Sequence, residues 1–111
     1  MSEHITLKDN NDFRRIYRRG NDFVDKGLVI YVLKNKNNNL RYGITTGKKI
    51  GKAVVRNRCK RIIRAAYSQL YDELKPGFDF IFVARGRTPM LKSDDVYRIM
   101  KNLLGKAQLL K

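Results

Sequence analysis

Residues 47–64 read GKKIGKAVVRNRCKRIIR, and this stretch is the most informative part of the sequence about the fold. When the residues from Val55 to Leu70 are projected at about 100° per residue, they form one helix with two unlike faces. The apolar face, which we expect to dock on a sheet, comprises Val55, Cys59, Ile62, Ile63, Ala66 and Leu70. The opposite face comprises Arg56, Asn57, Arg58, Lys60, Arg61 and Arg64. Like charges four residues apart destabilise an isolated helix, so this face is expected to be covered by an anion.

The segment before this helix combines glycine and lysine. Residues 45–52 read TTGKKIGK and lead into the helix N-terminus, where free backbone N–H groups favour phosphate. The segment lacks the glycine spacing and the terminal Lys-Ser or Lys-Thr pair of a Walker A loop. A phosphate-facing loop is therefore predicted, and a mononucleotide site is disfavoured.

The charge of the chain is strongly positive and unevenly distributed. Its 111 residues include 25 Lys and Arg against 10 Asp and Glu, which gives a net charge of +15. No acidic residue occurs between positions 26 and 71, a stretch that carries twelve Lys and Arg. The length predicts a single RNA-binding domain over residues 1–111. The segregation of charge predicts a continuous surface that binds nucleic-acid phosphates, and a solvated basic face without a partner is the alternative.

The few residues with catalytic or metal-binding chemistry exclude several classes of protein. Cys59 is the single cysteine and lies on the apolar helix face, so an internal disulfide is excluded and a buried thiol is expected. His4 is the single histidine and lies in a polar N-terminal segment, where we expect it to be solvated. No zinc-type ligand set and no Ser-His-Asp or Cys-His arrangement can form. We therefore expect no metal or cofactor bound by the protein itself and no small-molecule substrate.

Membrane association is not indicated by the sequence. The N-terminus reads MSEH and contains no apolar signal segment. No run approaches the roughly 18 apolar residues that a membrane span needs. A cytoplasmic protein with no membrane contact is expected.

Three apolar runs predict the long strands of a sheet. They span residues 27–34, 40–46 and 78–84. The asparagine-rich residues 35–39 predict a hairpin turn, which would pair the first two strands antiparallel. On the third strand, Phe78, Phe80 and Phe82 share one face and are expected in the core.

Two further helices are predicted near the ends of the chain. The first spans residues 10–19, with Asp9 as its N-cap and Gly20 at its end. Residues 75–77, Lys-Pro-Gly, are expected to end the central helix. The last helix is expected to begin at Ser93 as its N-cap. Its apolar stripe, which we assign to core packing, comprises Val96, Ile99, Met100, Leu103, Leu104 and Ala107.

These residues also resemble a known family. Residues 47–64 are similar to the signature of the bacterial ribonuclease P protein subunit, which contains an Arg-Asn-Arg triplet matched here by residues 56–58. Residues 11–17, 29–31 and 84–85 resemble the first helix, the second strand and the end of the last strand of that family.

The resemblance implies a fold. It is an α+β fold, a two-layer α-β sandwich of order αβββαβα, with a left-handed βαβ crossover through the basic helix. A short extra strand near residues 21–25 is implied as well. Gly47 departs from the family pattern, because many members have Ser there, and this concerns only the local loop contact.

The resemblance also implies a function. In this family the protein binds the catalytic RNA subunit and the 5′ leader of precursor tRNA, and it assists endonucleolytic removal of the leader in tRNA 5′ maturation. Catalysis belongs to the RNA, and the RNA-containing holoenzyme requires magnesium. By position, the leader-binding residues are Phe13, Tyr17, Tyr31, Lys48, Lys49, Lys52 and Arg85. The residues that would face the RNA subunit are Arg56, Asn57, Arg58, Lys60, Arg61 and Arg64.

Two other classes of protein are alternatives. A structural RNA-binding protein of the ribosomal type would share the charge and the size but would have no substrate. An independent nuclease is disfavoured, because the acidic pairs at residues 72–73 and 94–95 are sequential pairs on helix ends rather than a metal-holding cluster. The protein alone is therefore expected not to cleave precursor tRNA.

Overall fold

A mixed sheet flanked by helices forms the framework of the protein. The computed structural model describes residues 4–111, and within that range the chain forms five strands and three α-helices. In chain order they are β1 (Ile5–Thr6), α1 (Asn10–Arg19), β2 (Asn21–Val24), β3 (Leu28–Lys34), β4 (Leu40–Thr45), α2 (Ala53–Leu70), β5 (Phe78–Ala84) and α3 (Ser93–Lys106). Short 3₁₀ turns, at Lys48–Ile50, Tyr71–Glu73 and Thr88–Met90, follow β4, α2 and β5. After the short β1, the element order is the predicted αβββαβα.

The sheet has the strand order β1-β4-β5-β3-β2, with β5 at its centre. β5 runs parallel to β4 and antiparallel to β3. Helix α2 connects the parallel strands β4 and β5, so a βαβ unit passes through the basic helix as the resemblance implies. β2 pairs antiparallel with β3 and confirms the short extra strand.

The predicted hairpin between β3 and β4 is wrong. The two strands are not neighbours, because β5 lies between them. Residues 35–39 instead cross over the start of β5: the Asn35 N–H donates to the Gly77 carbonyl at 2.8 Å, and the Gly77 N–H donates to the Asn39 carbonyl at 3.0 Å. Residues 79–82 of β5 are all buried. A strand that is buried on both faces belongs at the centre of a sheet, where both faces are covered.

The two faces of the sheet are covered differently. α2 and α3 pack on one face and form the main core with even-numbered residues of β3 and β5, such as Ile30 and Phe82. α1 packs on the other face, where Ile16 and Ile81 form a smaller cluster with partly buried side chains around them. The sheet together with α2 and α3 is the predicted two-layer sandwich. α1 covers only part of the second face.

The predicted bounds hold for α1 and partly for α2. At the start of α1 the Asp9 carboxylate accepts a hydrogen bond from the Asn11 N–H at 2.9 Å, and Gly20 caps the other end. On α2 the predicted docking face is buried except for the half-buried Val55. α2 ends at Leu70 and continues as a 3₁₀ turn, several residues before the stop expected at 75–77. The α-helix therefore ends before it reaches Pro76.

At α3 the N-cap is Lys92 rather than the predicted Ser93. The Lys92 N–H donates to the Asp95 carboxylate at 2.9 Å, so an acidic residue of the first turn bonds back to the N–H of the N-cap residue. The apolar stripe of α3 packs into the main core as expected.

The N-terminal segment belongs to the sheet, which the sequence did not indicate. β1 pairs parallel with β4, with Ile5 opposite Arg41. His4 is not the solvated residue that we expected, because its ring stacks on Tyr71 at a centroid distance of 4.1 Å and meets Tyr67 edge-on at 5.5 Å. Aromatic rings at the C-terminal end of α2 therefore hold this segment in place.

Candidate nucleic-acid interface

An open cleft of about 860 Å³ lies at the end of the sheet where β4 and β5 finish and β3 begins. The strands and the 3₁₀ turn before α2 supply most of its walls. Four of the seven predicted leader-binding residues line it, namely Tyr31, Lys48, Lys49 and Arg85. Val29 and Val83 contribute apolar surface. The cleft therefore combines cationic side chains with an apolar lining.

Tyr17 borders the cleft without lining it. Its ring meets the Tyr31 ring edge-on at a centroid distance of 4.8 Å, and its hydroxyl shares a hydrogen bond of 2.9 Å with the Thr45 hydroxyl. Thr45 and Tyr31 are both cleft residues, and Tyr17 is 38% exposed. Two aromatic rings thus stand beside the cleft, in a position where an unpaired base can stack.

Phe13 and Lys52 are the two predicted leader-binding residues that lie outside the cleft lining. Phe13 packs between α1 and β4, where Gly43 leaves room for its ring: a Cβ added to Gly43 would come 2.5 Å from Phe13 Cζ. Lys52 is the exposed N-cap of α2. Phe13 is therefore a packing residue beneath the wall that carries Tyr17, and Lys52 lies between the cleft and the basic helix.

Arg85 is held by a network that the sequence did not indicate. Arg85 Nη1 donates to the Asp25 carbonyl at 3.0 Å, and the Arg85 backbone N–H donates to Thr88 Oγ1 at 2.8 Å. The Thr88 hydroxyl donates in turn to the Gly27 carbonyl at 2.7 Å, and Thr88 is fully buried. Thr88 therefore ties the loop after β5 to the β2–β3 turn and fixes the backbone from which Arg85 reaches the cleft.

The predicted basic face of α2 points away from its buried side. Its exposed residues are Asn57, Arg58, Arg61 and Arg64, whereas Arg56 and Lys60 are half-buried. Among residues 4–111, none of the five cations on this face forms a salt bridge. Their charge is therefore available to an external anion.

Arg58 also makes a contact within the protein. Its Nε donates to the Pro89 carbonyl at 3.2 Å, which joins α2 to the 3₁₀ turn after β5. That turn begins at Thr88, the residue that positions Arg85. The loop after β5 therefore contacts both the basic face of α2 and the cleft.

Arg41 is a partly buried cation whose charge is paired within the protein. Its Nε and Nη2 donate to the two carboxylate oxygens of Asp79 at 2.8 and 2.7 Å. Asp79 is fully buried and also accepts hydrogen bonds from Asn35 Nδ2 at 2.8 Å and from Arg15 Nη2 at 3.4 Å. The hydrogen bonds to Asp79 raise the pKa of the Arg41 guanidinium. Arg41 therefore differs from the unpaired cations of residues 26–71, because Asp79 balances its charge.

The residues with catalytic or metal-binding chemistry are dispersed. Cys59 lies in the core on the docking face of α2, and burial raises the pKa of its thiol. Within residues 4–111, no group of three or more His, Cys, Asp or Glu side chains is arranged to hold a metal ion. In the same part of the chain, no helix is long and apolar enough to cross a membrane. The chemistry that the described surfaces do offer is charge and aromatic stacking.

The fold and these surfaces define a small α+β protein with an aromatic, basic cleft and a separate basic helix. The family model of Ribonuclease P matches residues 1–108, and the chain belongs to the ribonuclease P protein family. The family resemblance read from residues 47–64 is thereby confirmed.

Relatives and solved structures agree with this family. The Ribonuclease P protein component of Clostridioides difficile (strain 630) is 43% identical over 104 residues, which cover 93% of this chain and 91% of the relative. That of Clostridium botulinum (strain Langeland / NCTC 10281 / Type F) is 40% identical over 102 residues, which cover 91% and 92%. The RNase P protein of Staphylococcus aureus superposes with a TM-score of 0.85 at 29% identity, over 98% of this chain and all 100% of the other. The RNase P protein of Thermotoga maritima gives 0.81 at 27% identity, over 95% and 97%.

Proposed function

We propose that this chain is the protein subunit of a ribonuclease P ribonucleoprotein and assists removal of the 5′ leader from precursor tRNA. The basic face of α2 binds the RNA subunit, and the cleft binds the leader. The observation that carries the proposal is the coincidence of family membership with two basic surfaces of different chemistry. α2 packs on one face of the sheet, while the cleft opens beside α1 at the other.

The cleft suits a single-stranded RNA. Stacking of an unpaired base on an aromatic ring contributes about 1–3 kcal/mol and tolerates any base, and Tyr17 and Tyr31 offer two adjacent rings. Lys48, Lys49 and Arg85 line the same cleft and can neutralise the phosphates that connect stacked bases. In this proposal Phe13 supports the aromatic wall from below, and Lys52 meets the strand where it leaves the cleft.

The basic face of α2 suits a folded RNA. Such an RNA presents phosphates in a fixed geometry, which the planar fork of an arginine matches better than a mobile lysine does. Four of the five cations on this face are arginines, and Asn57 adds an amide that can donate to phosphate oxygens. We therefore assign assembly with the RNA subunit to this face.

Chemistry is assigned to the RNA subunit, with magnesium bound there and none held by the protein itself. His4 does not line the cleft and is stacked on Tyr71. Burial raises the pKa of the Cys59 thiol, which disfavours the nucleophilic thiolate. The chain's own residues bind the leader and the RNA subunit and hold them relative to each other.

Reconstitution tests the proposal. The chain is mixed with a bacterial ribonuclease P RNA and a precursor tRNA at a magnesium concentration too low for the RNA alone to act. Cleavage at the leader junction is expected only when protein and RNA are both present. Binding of RNA without any stimulation of cleavage would favour a structural RNA-binding protein. Cleavage by nuclease-treated protein alone would contradict the assignment of chemistry to the RNA.

A further inference from the structure

A second pocket, of about 510 Å³, lies between α1 and the end of β3. Ligand sites commonly have volumes of about 300–1,000 Å³, so the pocket is large enough for one. We call it the α1 pocket. Asp12 is the one acidic residue in its described lining. The cationic residues of the lining are Arg15, Arg19, Lys34, Lys36 and Arg41.

The strand register places the α1 pocket and the cleft on the same face of the sheet. Arg41 of the pocket is paired with Asp79, and Thr45 of the cleft is paired with Val83. Residues separated by an even number of positions along a strand point to one face. Four positions at roughly 3.3 Å each separate the two sites by about 13 Å along β5. Helix α1 packs over the row between them.

The α1 pocket keeps an excess of positive charge after its internal ion pairs are counted. Arg15 pairs with Asp12 at 2.9 Å, and Arg41 pairs with Asp79 at 2.7 Å. Five cations therefore face two carboxylates, which leaves three positive charges without a partner. Within residues 4–111, no salt bridge involves the other three cations, Arg19, Lys34 and Lys36.

Arg41 supplies a fixed donor in this pocket. Its Nε and Nη2 are bound to Asp79, whereas its Nη1 makes no hydrogen bond to any described residue and lies 3.9 Å from an Asp12 oxygen. The Arg41 side chain is 20% exposed and already lies between the Asp79 and Asp12 carboxylates. It therefore loses little conformational entropy when a ligand binds. A fixed guanidinium beside three unpaired cations is the chemistry that binds phosphate.

We propose that the α1 pocket binds a backbone phosphate of RNA, at a site separate from the cleft. The inference rests on the proposed function, because it adds a second binding site for the same RNA partners. The phosphate comes either from the leader, beyond the nucleotides in the cleft, or from the RNA subunit. Both sources present the same chemistry to the pocket, and a binding experiment separates them.

The experiment compares two variants of the full chain with the same net charge. In the pocket variant, the three unpaired cations are replaced: Arg19→Gln, Lys34→Gln and Lys36→Gln. In the control variant, three exposed lysines that line neither site are replaced: Lys75→Gln, Lys106→Gln and Lys111→Gln. All six side chains are exposed, so both variants are expected to unfold at the same temperature, which thermal melting checks.

Binding is measured against salt for a precursor tRNA with a long leader, the same tRNA with a short leader, and the RNA subunit. The pocket variant is expected to bind more weakly than the control, with a logarithmic salt slope shallower by about 0.7 for each phosphate that it no longer neutralises. A weakening confined to the long leader assigns the phosphate to the leader, and a weakening with the RNA subunit assigns it to that RNA. Equal slopes for both variants with every RNA would overturn the proposal. Failure of the unmodified chain to bind any of these RNAs would instead overturn the proposed function.

Discussion

Asp79→Asn tests whether the buried ion network holds the sheet and α1 together. Asp79 is fully buried and accepts two hydrogen bonds from Arg41, one from Asn35 and one from Arg15. Asparagine keeps the shape but removes the charge and places an N–H₂ group against these donors. Removing one partner of a buried ion pair costs about 3–5 kcal/mol. The Arg41 and Arg15 side chains are 20% and 39% exposed, so partial solvation places the loss of stability near the lower end, at about 3 kcal/mol.

Thermal and urea unfolding at fixed salt measure this loss of stability. For a chain of this length, about 3 kcal/mol lowers the melting temperature by roughly 10–15 °C. Asp72→Asn is the matched control, because Asp72 is exposed and the substitution changes the net charge equally. A destabilisation below about 1 kcal/mol for Asp79→Asn, or one equal to that of the control, would show that the Asp79–Arg41 pair is a weak, solvent-screened interaction that does not hold the sheet and α1 together.

Three further outcomes are expected. Thr88→Val leaves the Gly27 carbonyl and the Arg85 N–H without their partner, so urea unfolding should show a destabilisation of about 1–3 kcal/mol. Thr88→Ser keeps the hydroxyl and should recover most of that stability. An unchanged unfolding midpoint for Thr88→Val would contradict the positioning role of Thr88. Cys59 should react with iodoacetamide far more slowly in the folded than in the urea-unfolded chain, because burial raises the pKa of its thiol, and equal rates would show that the thiol is accessible. Neutralising three cations of α2 with Gln should make the logarithmic salt slope of RNA binding shallower by up to about 0.9 for each phosphate that is no longer neutralised, and an unchanged slope would remove this face from the interface. The three positions are Arg56, Lys60 and Arg64.

Helices were predictable because their signals come from neighbours in the chain. The Asp9 cap and Gly20 bound α1 as expected, and the 3.6-residue period separated the buried and exposed sides of α2. Even the error at α3 is local. The N-cap is Lys92, one residue before the Ser93 that the serine pattern favours, and Asp95 in the first turn accepts a hydrogen bond from the Lys92 N–H.

Strand neighbours were not predictable in this way. β3, β4 and β5 are three similar apolar runs, and nothing within each run says which one lies at the centre. One signal was present: Asp79 is an acidic residue inside an alternating run of phenylalanines. A buried carboxylate requires cationic or amide partners. Asn35, at the start of the segment that crosses over β5, and Arg41, in β4 just after that segment, supply them.

Tyr67 shows where a helical projection stops being sufficient. At about 100° per residue it lies about 20° from Arg56, beside the predicted basic face, yet it is fully buried. Its ring lies 4.5 Å from that of Tyr42 and 5.5 Å from that of His4. This flank of α2 is covered by β4 and the N-terminal segment, which are distant in sequence. The meeting of cleft residues from separate elements is likewise tertiary, and it was expected only from the family resemblance.

In the proposed function, two surfaces of this protein bind two different RNAs. Tyr31→Leu keeps apolar bulk in the cleft wall and removes the ring on which a base would stack, whereas Arg61→Gln with Arg64→Gln removes two exposed charges from α2. The most direct measurement determines the affinity of both variants for precursor tRNA with a leader, for leaderless tRNA and for the RNA subunit, with unfolding curves as the fold control. We expect Tyr31→Leu to weaken leader binding by about 1–3 kcal/mol and to leave assembly nearly unchanged, while the arginine variant mainly impairs assembly. If both variants weaken leader binding and assembly in the same proportion with the fold intact, a single electrostatic patch is the correct description and the two-surface account is wrong.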